Sequence, residues 1–134
     1  MGDFLISKVT NSSKDFYKTM GPFLSRREIV KEIGNSVWDD DGKVWYLATR
    51  DGRVCGFVAA LKQNKNVVFG SDYVLPDCRA QGAYKSLSAA RLADYHDDTV
   101  VATVTGDSLK QYIGNGFTET GTRGKYHTVK RVPE

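Results

Sequence analysis

The sequence predicts an α/β fold in which a mixed, mostly antiparallel sheet carries helices on both faces. Three observations carry that expectation. Apolar runs at residues 44–50, 53–62 and 67–75 are joined by Asp51-Gly52 and by Gln63-Asn-Lys-Asn66, the pattern of a three-strand antiparallel meander. The third run passes through a short polar turn holding Arg79, Gln81 and Gly82 straight into an amphipathic helical pattern. The β-branched run from Thr99 to Thr105 follows that helix, and a strand–helix–strand crossover makes its two strands parallel neighbours.

Taken in order, residues 4–10 read as a first strand. Ser12-Ser-Lys-Asp15 has the form of a helix N-terminal box, with Phe16, Met20 and Phe23 following at helical spacing. Ser25-Arg-Arg-Glu28 is a second box, with Ile29, Val30 and Ile33 on its apolar face and Gly34 as a stop. Asp39-Asp-Asp-Gly42 is an acidic loop before the meander. The next helix spans 82–95, with Ala83, Leu87, Ala90 and Leu92 as its apolar positions. A short helix holding Leu109, Tyr112 and Ile113 ends at Gly114 and Gly116. Residues 117–120 and 126–132 form a last hairpin around Gly121-Thr-Arg-Gly124. The predicted order is β-α-α-β-β-β-α-β-α-β-β, and no linker or repeat divides residues 1–134, so one domain is expected.

Composition narrows the class. Of 134 residues, 40% are hydrophobic and 11% aromatic, which supports a packed core and argues against disorder. No apolar run approaches the roughly 20 residues of a membrane span, and the N-terminus lacks the basic and apolar regions of a secretory leader. A cytoplasmic protein with no membrane partner is expected. A net charge of +3 permits acidic partners, nucleic acid among them, without demanding them. Two cysteines make neither a disulfide framework nor a metal site. Cys55 reads as a small core residue and Cys78 as an exposed loop thiol, and no metal cofactor is expected.

The chemistry concentrates in Val74-Leu-Pro-Asp-Cys-Arg-Ala-Gln-Gly-Ala-Tyr-Lys85. A helix start offers several unpaired N–H groups and the positive end of the helix dipole. A glycine loop that presents them is an anion site, most often for phosphate. The alternative is a plain turn glycine before a helix. Arg79 suits added phosphate contact, and the backbone from Gln81 to Lys85 suits the cradle.

This order of elements, with this loop, resembles the GNAT superfamily of acyl-CoA-dependent N-acyltransferases. The resemblance is strongest from Val44 to Phe117. The family's signature of Arg or Gln, two residues, Gly, one residue, then Gly or Ala reads here as Arg79-Ala-Gln-Gly82-Ala-Tyr84, after Val74-Leu-Pro76. A tyrosine shortly before a Gly-Phe pair is matched by Tyr112-Ile-Gly-Asn-Gly116-Phe117, with Ser108 one turn earlier. Tyr84 takes the last small-residue position of the loop signature, and Thr105 stands where many members carry Asn.

The resemblance implies a central sheet with a splayed parallel strand pair and acetyl-CoA as donor co-substrate. It implies that Tyr73, Val74, Arg79, Ala80, Gln81, Gly82, Ala83, Tyr84, Lys85 and Ser108 contact that donor. Tyr112 becomes the general acid that protonates the departing thiolate, since a phenol with an ordinary pKa of about 10 is a neutral donor at neutral pH. Asp72, two residues before Val74, is the candidate base, with a solvent-facing strand residue as the other reading. Glu119 and His127 are lesser candidates, and His96 reads as a surface residue near a helix end. Tyr17, Phe23, Trp38, Trp45 and Tyr126 either line the acceptor site or belong to the core. The acceptor is a small-molecule or protein amine, and the resemblance leaves a homodimer open. Two other readings stand beside this one: a coenzyme A-binding module without turnover, and a nucleic-acid-acting relative that modifies a base.

Overall fold

A computed structural model of the chain describes residues 4–24, 26 and 41–133. Seven strands form one sheet in the order β1-β2-β3-β4-β5-β7-β6. The strands are β1 (Leu5–Val9), β2 (Val44–Arg50), β3 (Arg53–Gln63), β4 (Asn66–Val74), β5 (Thr99–Thr105), β6 (Thr118–Arg123) and β7 (Tyr126–Arg131). The described helices are α1 (Phe16–Leu24), α2 (Ala83–Asp94) and α3 (Gly106–Gly114). Among the described strands, only β4 and β5 pair parallel, and α2 makes the crossover between them.

Local chemistry explains the meander. Asp51 and Gly52 both take positive φ, +55° and +76°, which brings Arg50 opposite Arg53 in a tight hairpin. Alternation then sorts the side chains. Trp45, Leu47, Phe57 and Tyr73 pack with Phe16 and Met20 of α1 on one face. Tyr46, Val58, Phe69, Val100 and Val129 pack with Leu87 of α2 and Tyr112 of α3 on the other. Trp45, assigned to core or acceptor site from sequence, is fully buried against Phe57, with ring centroids 5.7 Å apart. Phe23 rests on the same Phe57 ring at 5.5 Å.

Several boundaries differ from the sequence reading. The Ser12–Asp15 box does not open α1. Ser13 N–H bonds back to Thr10 C=O in a turn, Asp15 sits at φ +62°, and the helix starts only at Phe16. The last hairpin turns at Gly124-Lys125, with Arg123 opposite Tyr126. Gly121 lies inside β6, next to a register shift between Glu119 and Gly121. Cys78 is buried rather than exposed, because the short 3-10 turn Pro76–Cys78 folds its side chain into the α1-side core. The second helix expected after Ser25, Trp38 and most of the acidic loop lie outside the described residues.

Candidate active site

The site is made by a fault in the sheet. Between Phe57 and Ala59 of β3 the pairing with β4 shifts, so that the three steps from Gly70 to Tyr73 oppose two steps of β3. Ser71 takes φ +57° to accommodate the extra residue. Beyond this bulge β4 turns away from β5. Their parallel ladder runs from Asn66–Thr99 to Phe69–Ala102 and stops, although β4 continues to Val74 and β5 to Thr105. Gly56 faces the far side of the bulge. A Cβ there would lie 2.9 Å from the Tyr73 carbonyl oxygen, so only glycine allows this approach.

The parted strands open a cleft of about 770 Å³. Its walls are Asp72, Tyr73 and Val74 of β4, Arg79, Ala80 and Gly82 to Lys85 of the loop and first turn of α2, and Ser108 and Gln111 of α3 with Asn115 just beyond it. All the sequence-selected donor residues except Gln81 line it.

The loop is built to present backbone. Ala80 and Gly82 both have positive φ, +61° and +91°. No side chain caps α2, and its first internal bond is from Ser86 N–H to Gly82 C=O at 3.0 Å. The N–H groups of Ala83, Tyr84 and Lys85 therefore precede the helical ladder at the positive end of the dipole. A Cβ on Gly82 would meet nothing within 4 Å, so this glycine serves the left-handed turn and leaves open space before the helix.

Side chains brace the loop from behind. Gln81 donates its amide N–H to Asp77 C=O at 3.0 Å and accepts from the Arg50 guanidinium. Arg53 forms a two-point contact with Asp77 at 2.8 and 3.3 Å. Arg79 donates from Nε to Val74 C=O at 2.9 Å, and its guanidinium lies 5.5 Å from the Tyr73 ring. Gln81 thus supports the cradle from its side chain instead of lining it.

Asp72 and Tyr84 line the cleft, and behind them they meet the buried Arg91 and Tyr112. Asp72 pairs with Arg91 at 2.8 Å (Oδ1 to Nη1) and 3.0 Å (Oδ2 to Nη2). The Asp72 Oδ2 atom also accepts from Tyr112 at 2.6 Å and from Tyr84 at 2.7 Å. Arg91 donates further to the Tyr112 hydroxyl and to Ala59 C=O, both at 3.1 Å, and stacks 4.1 Å from the Phe69 ring centroid. Arg91 and Tyr112 are 1% and 3% exposed. Burial first, and then the Asp72 charge, hold the Tyr84 phenol well above its ordinary pKa. The Tyr112 phenol is also raised, by burial against the opposing pull of Arg91 and with the help of Asp72. The structure therefore brings the sequence-selected Tyr112 and Asp72 into direct contact. It surrounds the Asp72 carboxylate with four donated hydrogen bonds.

The other base candidates sit elsewhere. His127 and Glu119 engage each other across the β6–β7 hairpin, and His96 contacts Asp97 at the surface. Tyr17 is exposed against Phe16, and Tyr126 lies opposite Thr105 with Lys125 over its ring. The thiol of Cys78, which lines the cleft, is pushed up to about 11 by burial and by the neighbouring Cys55 thiol.

Sequence reasoning missed two residues. Arg91 carried a signal, since Ala83, Leu87 and Arg91 recur every four residues and put a guanidinium on the buried stripe of α2. Lys43 carried none. It is 9% exposed, lies 4.5 Å from the Trp45 ring centroid, and donates to the hydroxyl of the bulged Ser71 at 3.1 Å.

No protein-family model matches the chain, and a search of the curated proteins finds no match. Solved structures do match. An acyl-CoA N-acyltransferase from Pseudomonas aeruginosa superposes with a TM-score of 0.76 at 16% identity, covering 96% of this chain and 99% of that one. A GNAT family acetyltransferase from Elizabethkingia anophelis with acetyl-CoA bound gives 0.69 at 11% identity, covering 98% and 99%. A PaiA N-acetyltransferase from Thermoplasma acidophilum in complex with coenzyme A gives 0.64 at 15% identity, covering 98% and 99%. Over nearly its whole length, this chain has the fold of the GNAT superfamily.

Proposed function

We propose that the chain is an acyl-CoA-dependent N-acyltransferase that moves an acetyl group from acetyl-CoA to a primary amine by direct attack. One observation carries this reading. A single cleft runs from the uncapped start of α2 to Asp72 and Tyr84, and the Tyr112 hydroxyl bonds Asp72 directly behind that wall, so an anion cradle lies in line with a buried phenol that one carboxylate separates from the cavity. The donor's diphosphate suits the N–H groups at Gly82 to Lys85, with Ser108 and the β4 edge at Tyr73 and Val74 along its arm. The amine on a small molecule or a protein attacks the thioester carbonyl carbon. A C–N bond forms, the C–S bond breaks, and the amine loses its extra proton to solvent. Tyr112 gives its phenolic proton to the departing thiolate, and the phenolate left behind faces the Arg91 guanidinium. In this scheme Asp72 orients Tyr112 and Tyr84. Taking the amine proton directly would disrupt its ion pair with Arg91, which costs several kcal/mol when one partner is left buried, on the order of 3–5.

Calorimetric titration with acetyl-CoA and with coenzyme A tests the reading. Saturable binding by the wild-type chain and its loss in Gly82→Val are expected, followed by acetyl transfer to one of a panel of polyamines and peptides. A folded wild-type protein that binds neither ligand overturns it.

A further inference from the structure

We infer that Arg91 is a positioning residue for acyl transfer, acting through Tyr112: it offsets the Asp72 carboxylate so that the phenol beside it can release a proton. The inference rests on the reading of Tyr112 as the acid.

The geometry states the problem and its answer together. A carboxylate oxygen 2.6 Å from the Tyr112 hydroxyl opposes formation of a phenolate by like-charge repulsion, and burial opposes it again. A tyrosine placed only beside Asp72 is a poor acid. Arg91 Nη2 lies 3.1 Å from the same phenol oxygen and 3.0 Å from Asp72 Oδ2, so one positive group faces both. Its attraction for the phenolate acts against the two opposing effects.

The guanidinium is also fixed. Nη1 donates to Asp72 and to Ala59 C=O, a carbonyl at the β3 position where the register shifts. Nη2 donates to Asp72 and Tyr112, and the plane stacks on Phe69. The planar fork matches this set of acceptors, and an ammonium does not. Only Nε is without a partner among the described residues.

Stability does not account for Arg91. Desolvating a guanidinium and a carboxylate offsets most of what their attraction returns, and a packed apolar pair in such a place is often neutral or stabilising. With Asp72 also replaced by an apolar residue, an aliphatic side chain at position 91 would continue the Ala83–Leu87 stripe with no buried charge left unpaired.

Phenolate absorption during alkaline titration of the full chain reads the coupling without any acceptor. Four variants are compared: Asp72→Asn alone, and Asp72→Asn combined with Arg91→Met, with Arg91→Lys or with Tyr112→Phe. In Asp72→Asn, one phenol should ionise about one pH unit or more below its position in the Arg91→Met double variant, the size of one charge contact. The Tyr112→Phe double variant should lack that phenol. Asp72→Asn with Arg91→Lys keeps the charge and should titrate between the first two, which holds the test open if the Met variant fails to fold. Coincident titrations with Arg, Lys or Met at position 91 overturn the inference. Unchanged acetyl transfer by Tyr112→Phe overturns the acid reading instead, even where the titrations separate.

Discussion

At the residue scale, Tyr112 and Phe57 show how differently two buried aromatic side chains work. The Tyr112 ring packs edge-on to Phe117 at 5.0 Å, so its body is core, while its hydroxyl bonds Asp72 and Arg91. Tyr112→Phe keeps the ring and removes the proton donor. Turnover is expected to fall roughly 10²–10⁴-fold, the usual contribution of a general acid. Coenzyme A affinity measured by calorimetry should change little, and a rate near wild type would discard the role. Phe57 has no polar duty. It is fully buried and meets Phe23, Trp45 and Tyr73 within 5.8 Å between centroids. Phe57→Ala is expected to cost about 3–5 kcal/mol in a denaturant titration, since no neighbouring ring can close the cavity.

At the scale of elements, the β3–β4 bulge and the loop into α2 are the two devices that make the cleft. Gly56 enables the first. A methyl group there meets the backbone at Tyr73 O and, at 3.2 Å, Val74 Cα, neither of which is the end of a flexible side chain. Gly56→Ala should move the β4 edge, lowering thermal stability and weakening acetyl-CoA binding by about tenfold or more, or roughly 1.4 kcal/mol. Retained affinity would separate the bulge from donor binding. Gly82 enables the second. A β-branched residue at φ +91° adds roughly 1–2 kcal/mol of backbone strain before any ligand is considered. The loop's brace is exposed and two-sided, with Arg53 holding Asp77 below its ordinary carboxylate pKa.

For the whole molecule, three tyrosines tie stability to alkaline pH. Burial, then Asp94, raises the Tyr46 phenol, and burial heads the causes that raise Tyr84 and Tyr112. In the unfolded chain these phenols ionise near an ordinary value of about 10, while the folded chain keeps them protonated beyond it. Above that point the unfolded state holds fewer protons, so stability falls as pH rises. The contribution is complete below about pH 10 and is lost progressively above it. Melting temperature should therefore be level through neutral pH and drop above about 10. Tyr46→Phe should reduce the slope, and an unchanged slope in that variant would assign the loss to other groups.

The sequence by itself determined whatever depends on neighbours along the chain. The Asp51-Gly52 hairpin, the β2 and β5 bounds and the glycine turn before α2 rest on local φ/ψ preference and on alternation over a few residues, and the structure reproduces them. The parallel pairing of β4 with β5 was also legible, because a helix-length connection lets consecutive strands run the same way side by side. Tertiary structure alone decided what depends on contacts distant in sequence. Asp72 meets Arg91 across 19 residues and Tyr112 across 40, and no local pattern announces that a strand carboxylate has those partners. Cys78 is buried because Cys55 and Leu75 pack beside it, although its own surroundings in the sequence read as an exposed loop. The bulge at Ser71 arises from a register conflict between two strands, and register is a property of the pair rather than of either segment. The cleft that this conflict opens, and the buried charges at its end, are therefore settled by three-dimensional packing.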